Sequence, residues 1–209
     1  FSEFSFFKYR LFIELRYFIH LSEVLPELEK INTTPVKEKI MKIWEQFSSE
    51  DYLTIKNHEN ILQHDIKALE YLIRDKFKTI GLDEYVSFIH FGVTSQDINT
   101  SANILALKDA MTLCIIPELN NITTCLEKFI KDTWDNTMLG FTHGQPAVPT
   151  TMGKEMQVFR YRIEEQIRVL KSIPFTTKFG GAVGNFNAHY AAYPDIDWPT
   201  VSADFIASI

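Results

Sequence analysis

Residues 150–173, TTMGKEMQVFRYRIEEQIRVLKSI, decide the fold class of this chain. Large apolar residues recur in this segment at steps of three and four: Met152, Met156, Phe159, Ile163, Ile167 and Leu170. Such steps keep side chains on one face of an α-helix, and a sustained seam of this kind is typical of helices that pack in bundles. The segment therefore predicts one long helix of a bundle.

The segment from Thr94 to about Asp132 predicts a second long helix. Its start, Thr94-Ser95-Gln96-Asp97, has the spacing of a capping box, with an acid in the first turn. Pro117 interrupts the helical pattern, which resumes at Leu119, so we expect a bend rather than an end. Because apolar positions wrap broadly around this helix, it is expected to be buried among neighbours.

The remaining segments also predict helices rather than strands. Helices are expected over residues 2–24, 36–47 and 49–80, with Thr34 as a cap, Pro35 in the first turn and Gly81 just after a helix end. Residues 136–149 and 179–185 are expected to be loops. The predicted fold class is an all-α bundle of long helices, with an N-terminal helical domain at 1–92 and part of a central bundle domain at 93–209.

Composition excludes several classes of protein. The 209 residues carry a net charge of -6, which argues against a nucleic-acid partner. No apolar stretch approaches the ~18 residues that a membrane helix needs, and no metal-binding motif is apparent. The two cysteines, Cys114 and Cys125, are expected about 16 Å apart on one helix, too far for a disulfide. We therefore expect a cytoplasmic protein without a bound structural metal.

The first of three polar clusters is Gln63-His64-Asp65, which the pattern places inside a helix. By spacing alone, a histidine satisfied by its neighbouring carboxylate is the favoured interpretation. The second cluster contains Thr94 and Ser95 at a predicted helix start, where free N–H groups and the helix dipole favour anions. Ordinary capping is again favoured by the sequence alone.

The third cluster, Thr142-His143-Gly144-Gln145-Pro146-Ala147, places a histidine in a tight loop ahead of a helix. A loop histidine titrates near neutrality and reaches a substrate more easily than a core histidine does. From the residues alone, a catalytic role for His143 and a purely structural role in the turn are equally supported.

The order of these clusters on long helices resembles the adenylosuccinate lyase family of the fumarase/aspartase superfamily. The resemblance extends over essentially the whole chain and is carried by five segments: QHDIKA (63–68), HFGVTSQDIN (90–99), THGQPA (142–147), GAVGNFNAH (181–189) and YPDIDW (193–198). It implies β-elimination of fumarate from adenylosuccinate, giving AMP, and from the succinyl-carboxamide ribotide of purine biosynthesis.

The resemblance also implies a role for individual residues. His143 corresponds to the general acid that protonates the leaving nitrogen, and Thr142 to a substrate contact. Thr94 and Ser95 correspond to hydroxyls that hold a succinyl carboxylate. Gln63, His64 and Asp65 correspond to a substrate-binding triplet. No metal or cofactor is implied.

The family resemblance further implies a homotetramer whose active sites are shared between subunits. Family members are about twice as long, and their serine base lies in a loop expected beyond Ile209. We therefore expect the chain to be a fragment that is neither a stable monomer nor active alone. Two alternatives stay open: another lyase of the superfamily, such as argininosuccinate lyase, or a helical scaffold without catalysis.

Overall fold

The computed structural model describes residues 1–209 and is built almost entirely of helices. Its α-helices are α1 (Glu3–Leu21), α2 (Thr34–Glu45), α3 (Ser49–Leu62), α4 (Asp65–Thr79), α5 (Ser95–Ala110), α6 (Ile116–Asp132), α7 (Met152–Ser172), α8 (Asn187–Ala192) and α9 (Trp198–Ala207). The other elements are two 3-10 helices (Pro26–Ile31 and Asp83–Phe88), a π-helical turn (Met111–Ile115) and strands β1 (Thr137–Thr142) and β2 (Gln145–Thr151). The predicted all-α class is thereby confirmed.

The chain divides into two compact units. The first unit comprises residues 1–106 and 176–209, and the second comprises residues 107–175. The predicted boundary between residues 92 and 93 concerns the domains of a longer protein and stays a prediction.

Helix α1 is the centre of the first unit. Phe7, Leu11 and Phe18 follow one another at helical spacing and are fully buried or nearly so. Helices α2, α3 and α4 pack against α1. Residues from the C-terminal part of the chain, including Trp198 and Phe205, belong to the same core. This packing brings segments that are distant in sequence onto one central helix.

The single helix expected over residues 49–80 is wrong, because the backbone breaks at Gln63. Gln63 has a left-handed φ of 54°, and its N–H donates to the Glu59 carbonyl at 2.7 Å, ending α3. His64 then caps α4, since its Nδ1 accepts from the Lys67 N–H at 3.1 Å. Histidine is not among the usual capping residues, so its position did not predict a helix start. The first polar cluster therefore lies at a helix start.

The helix ends marked by glycine and proline are predicted with mixed success. Gly81 follows α4 with a φ of 75°, and the bonds from Gly81 N–H to Lys78 and from Leu82 N–H to Phe77 complete a Schellman motif. The predicted cap at Thr34 is wrong by one residue, because α2 begins at Thr34 itself. At Pro117 the expected continuation is confirmed, since helical backbone runs through it after the π-helical turn, and the bend stays a prediction.

The second unit is an antiparallel pair of helices, α6 and α7, joined by the β1–β2 hairpin. The loop expected at residues 136–149 is therefore wrong. Prolines obscure the strand pattern, but they are tolerated because both strands of a two-stranded sheet are edges. The hairpin turns at His143 and Gly144, whose φ values of 54° and 72° are both positive, as a type I′ turn requires.

Candidate active site

The first two polar clusters meet where α4 and α5 begin. His64 caps α4, Ser95 is the first residue of α5, and the His64 Nε2 lies 3.4 Å from the Ser95 Oγ. The His64 side chain is half exposed, so this pair is open to solvent. Two helix N-termini, each with a positive dipole end, therefore meet at this contact, and such ends favour anions.

The hydrogen bonds of His64 assign its neutral tautomer. Because Nδ1 accepts from the Lys67 N–H, the proton of the neutral ring lies on Nε2. Nε2 then donates to the Ser95 Oγ, and the hydroxyl proton of Ser95 remains available to another acceptor. This chain of bonds makes Ser95 a hydrogen-bond donor toward a ligand.

The other two residues of the first cluster have different surroundings. Asp65 makes an ion pair with the buried Arg10 at 2.9 Å, so its charge is balanced by α1. Arg10 in turn lies over the Phe6 ring, 3.9 Å from its centroid. Gln63 is exposed and donates its side-chain amide to the Asn60 carbonyl at 2.8 Å. Asp65 is thus anchored by α1, and Gln63 is bonded back to α3.

The start of α5 has one of the two bonds of the predicted capping box: the Asp97 side chain accepts from the Thr94 N–H, but the Asp97 N–H donates to the Thr94 carbonyl rather than to its hydroxyl. The Thr94 N–H and the Thr94 hydroxyl both donate to the Asp97 Oδ2, at 2.8 and 3.0 Å. Thr94 and Ser95 therefore differ in chemistry although they are adjacent: the hydroxyl proton of Thr94 is used within the protein.

Asp97 belongs to the same candidate site, where it meets Lys178, a contact that the sequence did not predict. Its side chain is fully buried and accepts from the N–H groups of Gly180 and Gly181 at 3.0 and 3.1 Å and from the Lys178 Nζ at 2.8 Å. Burial alone would raise the pKa of Asp97, but Lys178 and the hydrogen bonds outweigh it and hold the pKa below its usual value. These bonds attach the loop at residues 179–185, called the glycine loop here, to the start of α5.

Two further polar residues of α1, also missed, hold the segment ahead of Thr94. Glu14 is buried and lies 2.5 Å from the Nδ1 of His90. Burial lowers the pKa of His90, yet the attraction of Glu14 outweighs it and raises the pKa above its usual value. The Tyr17 hydroxyl donates to the Phe91 carbonyl at 3.0 Å. The available signal was their helical spacing along α1, beside its apolar face.

His189 of α8 completes this support. Its Nε2 donates to the Tyr17 hydroxyl at 2.9 Å, and its Nδ1 is buried without a partner. Burial lowers the pKa of His189 to about 4, so the ring is neutral near pH 7. A Cβ on Gly92 would lie 2.6 Å from this ring, and Gly92 has a φ of 70°. Glycine is required there both for space and for backbone conformation.

The third predicted cluster belongs to the second unit. His143 is exposed at the tip of the β1–β2 hairpin, in the left-handed conformation, and Thr142 pairs with Gln145 just before the turn. An exposed position at the tip of a two-residue turn leaves the imidazole accessible to a ligand.

Other chemical sites are sparse. No group of three or more histidine, cysteine, aspartate or glutamate side chains is arranged to hold a metal ion. Both cysteines are free and exposed. None of the helices combines the length and apolar character needed to cross a bilayer.

Sequence comparison assigns the family. A family model described as lyase matches residues 10–205. Adenylosuccinate lyases of Dictyostelium discoideum and of Buchnera aphidicola from Acyrthosiphon pisum are 45% and 44% identical, over 99% and 100% of this chain. The adenylosuccinate lyase of Escherichia coli K12 is 38% identical over the whole chain. This chain belongs to the lyase family, within the fumarase/aspartase superfamily, and spans 46% of the length of these three relatives.

Solved structures agree on the fold. A fumarate lyase from Mesorhizobium sp. BNC1 superposes with a TM-score of 0.78 at 20% identity, covering 98% of this chain and 45% of that one. A β-carboxy-cis,cis-muconate cycloisomerase from Acinetobacter calcoaceticus gives 0.75 at 17% identity, covering 99% and 46%. At these identities the likeness concerns the fold.

Proposed function

We propose that this chain is part of an adenylosuccinate lyase, which eliminates fumarate from adenylosuccinate to give AMP and also cleaves the succinyl-carboxamide ribotide of purine biosynthesis. The observation that carries the proposal is the meeting of His64 and Ser95 at two helix starts, in a chain 45% identical to an adenylosuccinate lyase. A nucleotide substrate that bears carboxylates and a phosphate suits a surface of this kind.

The reaction is a β-elimination without redox change. A base removes a proton from the carbon next to a carboxylate, and that carboxylate becomes a dianionic aci-carboxylate. The C–N bond then breaks while an acid protonates the leaving nitrogen. The protein has to stabilise the developing negative charge and supply that proton.

Stabilisation of the carboxylate is assigned to the start of α5. Ser95 has a free hydroxyl proton, and the first turn of the helix adds backbone N–H groups and a positive dipole end. These donors gain strength as charge grows on the carboxylate, which is what transition-state stabilisation requires. Gln63, His64, Asp65 and Thr142 are proposed to complete the substrate-binding set, and Thr94, whose hydroxyl is bonded to Asp97, is proposed to hold Ser95 beside the substrate.

Protonation of the leaving nitrogen is assigned to His143. Its exposed position on a tight hairpin suits a group that must reach a substrate. A positioned acid typically contributes ~10²–10⁴-fold to the rate.

The proposed assembly is a homotetramer with shared active sites. Its support is the second unit, where large apolar side chains are exposed on both helices and on the hairpin. They include Leu113, Ile122, Phe129, Phe141, Val148, Phe159, Tyr161 and Val169. A monomer rarely exposes so much apolar surface, and further copies of the chain would cover it. We place the protein in the cytoplasm, with no nucleic-acid or membrane partner.

Fumarate release tests the function. The full-length protein is given adenylosuccinate and argininosuccinate in parallel, with His143→Ala and, as a matched control, His58→Ala. Release from adenylosuccinate, reduced ~10²–10⁴-fold in His143→Ala and unchanged in His58→Ala, supports the proposal. Release from argininosuccinate alone favours the alternative lyase. Release from neither substrate by a folded tetramer contradicts the proposed chemistry. Turnover by the 209 residues alone would contradict the expected inactivity of the segment.

A further inference from the structure

We propose that Asp97 is a positioning residue: it holds the start of α5 and the glycine loop together, so that Ser95 rather than Thr94 donates to the substrate carboxylate. This inference rests on the proposed function and names the hydroxyl that performs one of its steps.

Both oxygens of the Asp97 carboxylate are fully bonded within the protein. Oδ1 accepts from the Lys178 Nζ at 2.8 Å and the Gly180 N–H at 3.0 Å. Oδ2 accepts from the Thr94 N–H, the Thr94 hydroxyl and the Gly181 N–H at 2.8, 3.0 and 3.1 Å. An ionised carboxylate offers about four lone-pair positions, and here five donors occupy them. The side chain is fully buried, so Asp97 acts through its neighbours and not on the substrate.

The hydroxyl protons of Thr94 and Ser95 point to different acceptors. An ionised carboxylate only accepts, so the bond between Thr94 and Asp97 uses the single proton of the Thr94 hydroxyl. Toward a ligand, Thr94 then offers lone pairs, which repel a carboxylate. Ser95 is in the opposite state, since it accepts from His64 and keeps its proton. Of the two adjacent hydroxyls, only that of Ser95 is prepared to bind an anion.

The glycine loop is also held against α5 by bonds other than those to Asp97. Lys178 also donates to the Gly181 carbonyl, so the same ammonium joins the carboxylate to the loop. One helical turn beyond Asp97, the Ser101 hydroxyl lies 3.0 Å from the Thr177 hydroxyl. The segment 177–181 is thus attached at two levels of α5, and the buried ion pair fixes the loop against the helix start that bears both hydroxyls.

The decisive variants are Asp97→Asn, Ser95→Ala and Thr94→Val in the full-length protein. Asparagine keeps the size of the side chain but cannot accept from all five donors. We expect Asp97→Asn to lower kcat for adenylosuccinate about 10²-fold, because misplacement of a reacting group costs that much. Ser95→Ala should lower kcat at least as much as Asp97→Asn does, and Thr94→Val should lower kcat less than about tenfold. Asp75→Asn, an exposed carboxylate paired with Lys78, is the matched control and should behave as wild type.

Binding of AMP separates positioning from general damage to the fold. AMP lacks the succinyl carboxylates, so Asp97→Asn should change its Kd less than about threefold while kcat falls. Equal loss of AMP binding and activity would mean that Asp97 only stabilises the fold. A larger loss in Thr94→Val than in Ser95→Ala would overturn the proton assignment.

The partially exposed Lys178 supplies the test if Asp97→Asn does not fold. Lys178→Met should lower kcat about tenfold, and Lys178→Arg should recover most of it because the ion pair is restored. Equal activity of wild type and Lys178→Met would overturn the inference. A wild-type protein that releases no fumarate would overturn the proposed function and this inference together, whereas an active wild type restricts any failure to the inference.

Discussion

The two compact units of this chain use their apolar residues in opposite ways. The first unit fully buries large side chains such as Phe7, Phe77 and Trp198 around α1. The second unit is rich in apolar residues too, but its buried hydrophobic side chains are only Met111, Ile130 and Ile167. Among its exposed side chains, Leu113 is 72% and Val148 is 77% accessible.

This difference shows that a helical apolar pattern does not state where its partner lies. The first unit finds its partners within the chain, so its pattern becomes a core. The two long helices of the second unit, α6 and α7, pack mainly against each other, and a helix that is apolar around much of its surface needs more neighbours. A pattern satisfied within the chain contributes to the stability of the subunit, whereas an unsatisfied one indicates assembly.

A charge on the exposed face of the second unit should have the largest effect. Phe159→Glu places a carboxylate on the α7 seam, where 53% of the side chain is accessible. We expect the full-length protein to lose the proposed homotetramer, because an unpaired charge is costly to bury at an interface. Light scattering coupled to size-exclusion chromatography measures this.

The matched control is Ile61→Glu in the first unit, where the isoleucine is 80% accessible. This substitution should leave the molecular mass of the assembled protein, measured by light scattering, unchanged. A tetrameric Phe159→Glu protein would remove the contrast between the two units as an indicator of assembly.

Truncation of a side chain in the core of the first unit should have the second largest effect. Phe77 is fully buried and makes an edge contact with Phe18 at 4.8 Å between centroids. Phe77→Ala should lower the free energy of unfolding by about 3–5 kcal/mol through lost burial and a cavity. Tyr71→Ala on the same helix, 40% accessible, should cost less than about 1 kcal/mol. Urea unfolding measures both, and equal costs would mean that α4 is not held by its inner face.

Acidification should have the smallest effect of the three changes. It should lower the stability of the first unit, which contains His189. The pKa of His189 is about 4 when folded and 6.5 in its ordinary state, because burial disfavours the charged ring. Between these values the unfolded chain takes up a proton that the folded state excludes. The free energy of unfolding should therefore fall as pH falls from 6.5 to 4, by at most about 3 kcal/mol.

Denaturant unfolding of wild type, His189→Gln and His58→Gln between pH 7 and 4.5 isolates this effect. Glutamine does not titrate, so His189→Gln should lose this part of the pH dependence, and His58→Gln should keep it. Identical slopes for wild type and His189→Gln would exclude His189 as its source.

Much of the fold was predictable because helical patterning is a local property. The seam of α7, the cap at Thr94 and the glycine end at Gly81 each depend on residues within a few positions of one another. The failures were local patterns with unusual members. A histidine caps α4 at the break after Gln63, and prolines lie in the hairpin around His143.

The candidate site was predictable in part for the same reason. His64, Thr94, Ser95 and His143 stand in recognisable segments, and their proposed roles remain predictions. Asp97 carried a signal only as a helix-start acid, and nothing local linked it to Lys178, 81 residues away.

Local patterns were enough to predict most of the helices, the family and the candidate residues, because periodicity and motifs are encoded over short spans. Three features emerge only from the packed chain: His64 meets Ser95, Asp97 binds the glycine loop, and the Thr94 hydroxyl proton is already used. Hydrogen bonds of this kind depend on which distant segments the core brings together. That is set by the packing of the whole unit around α1, which no local pattern contains.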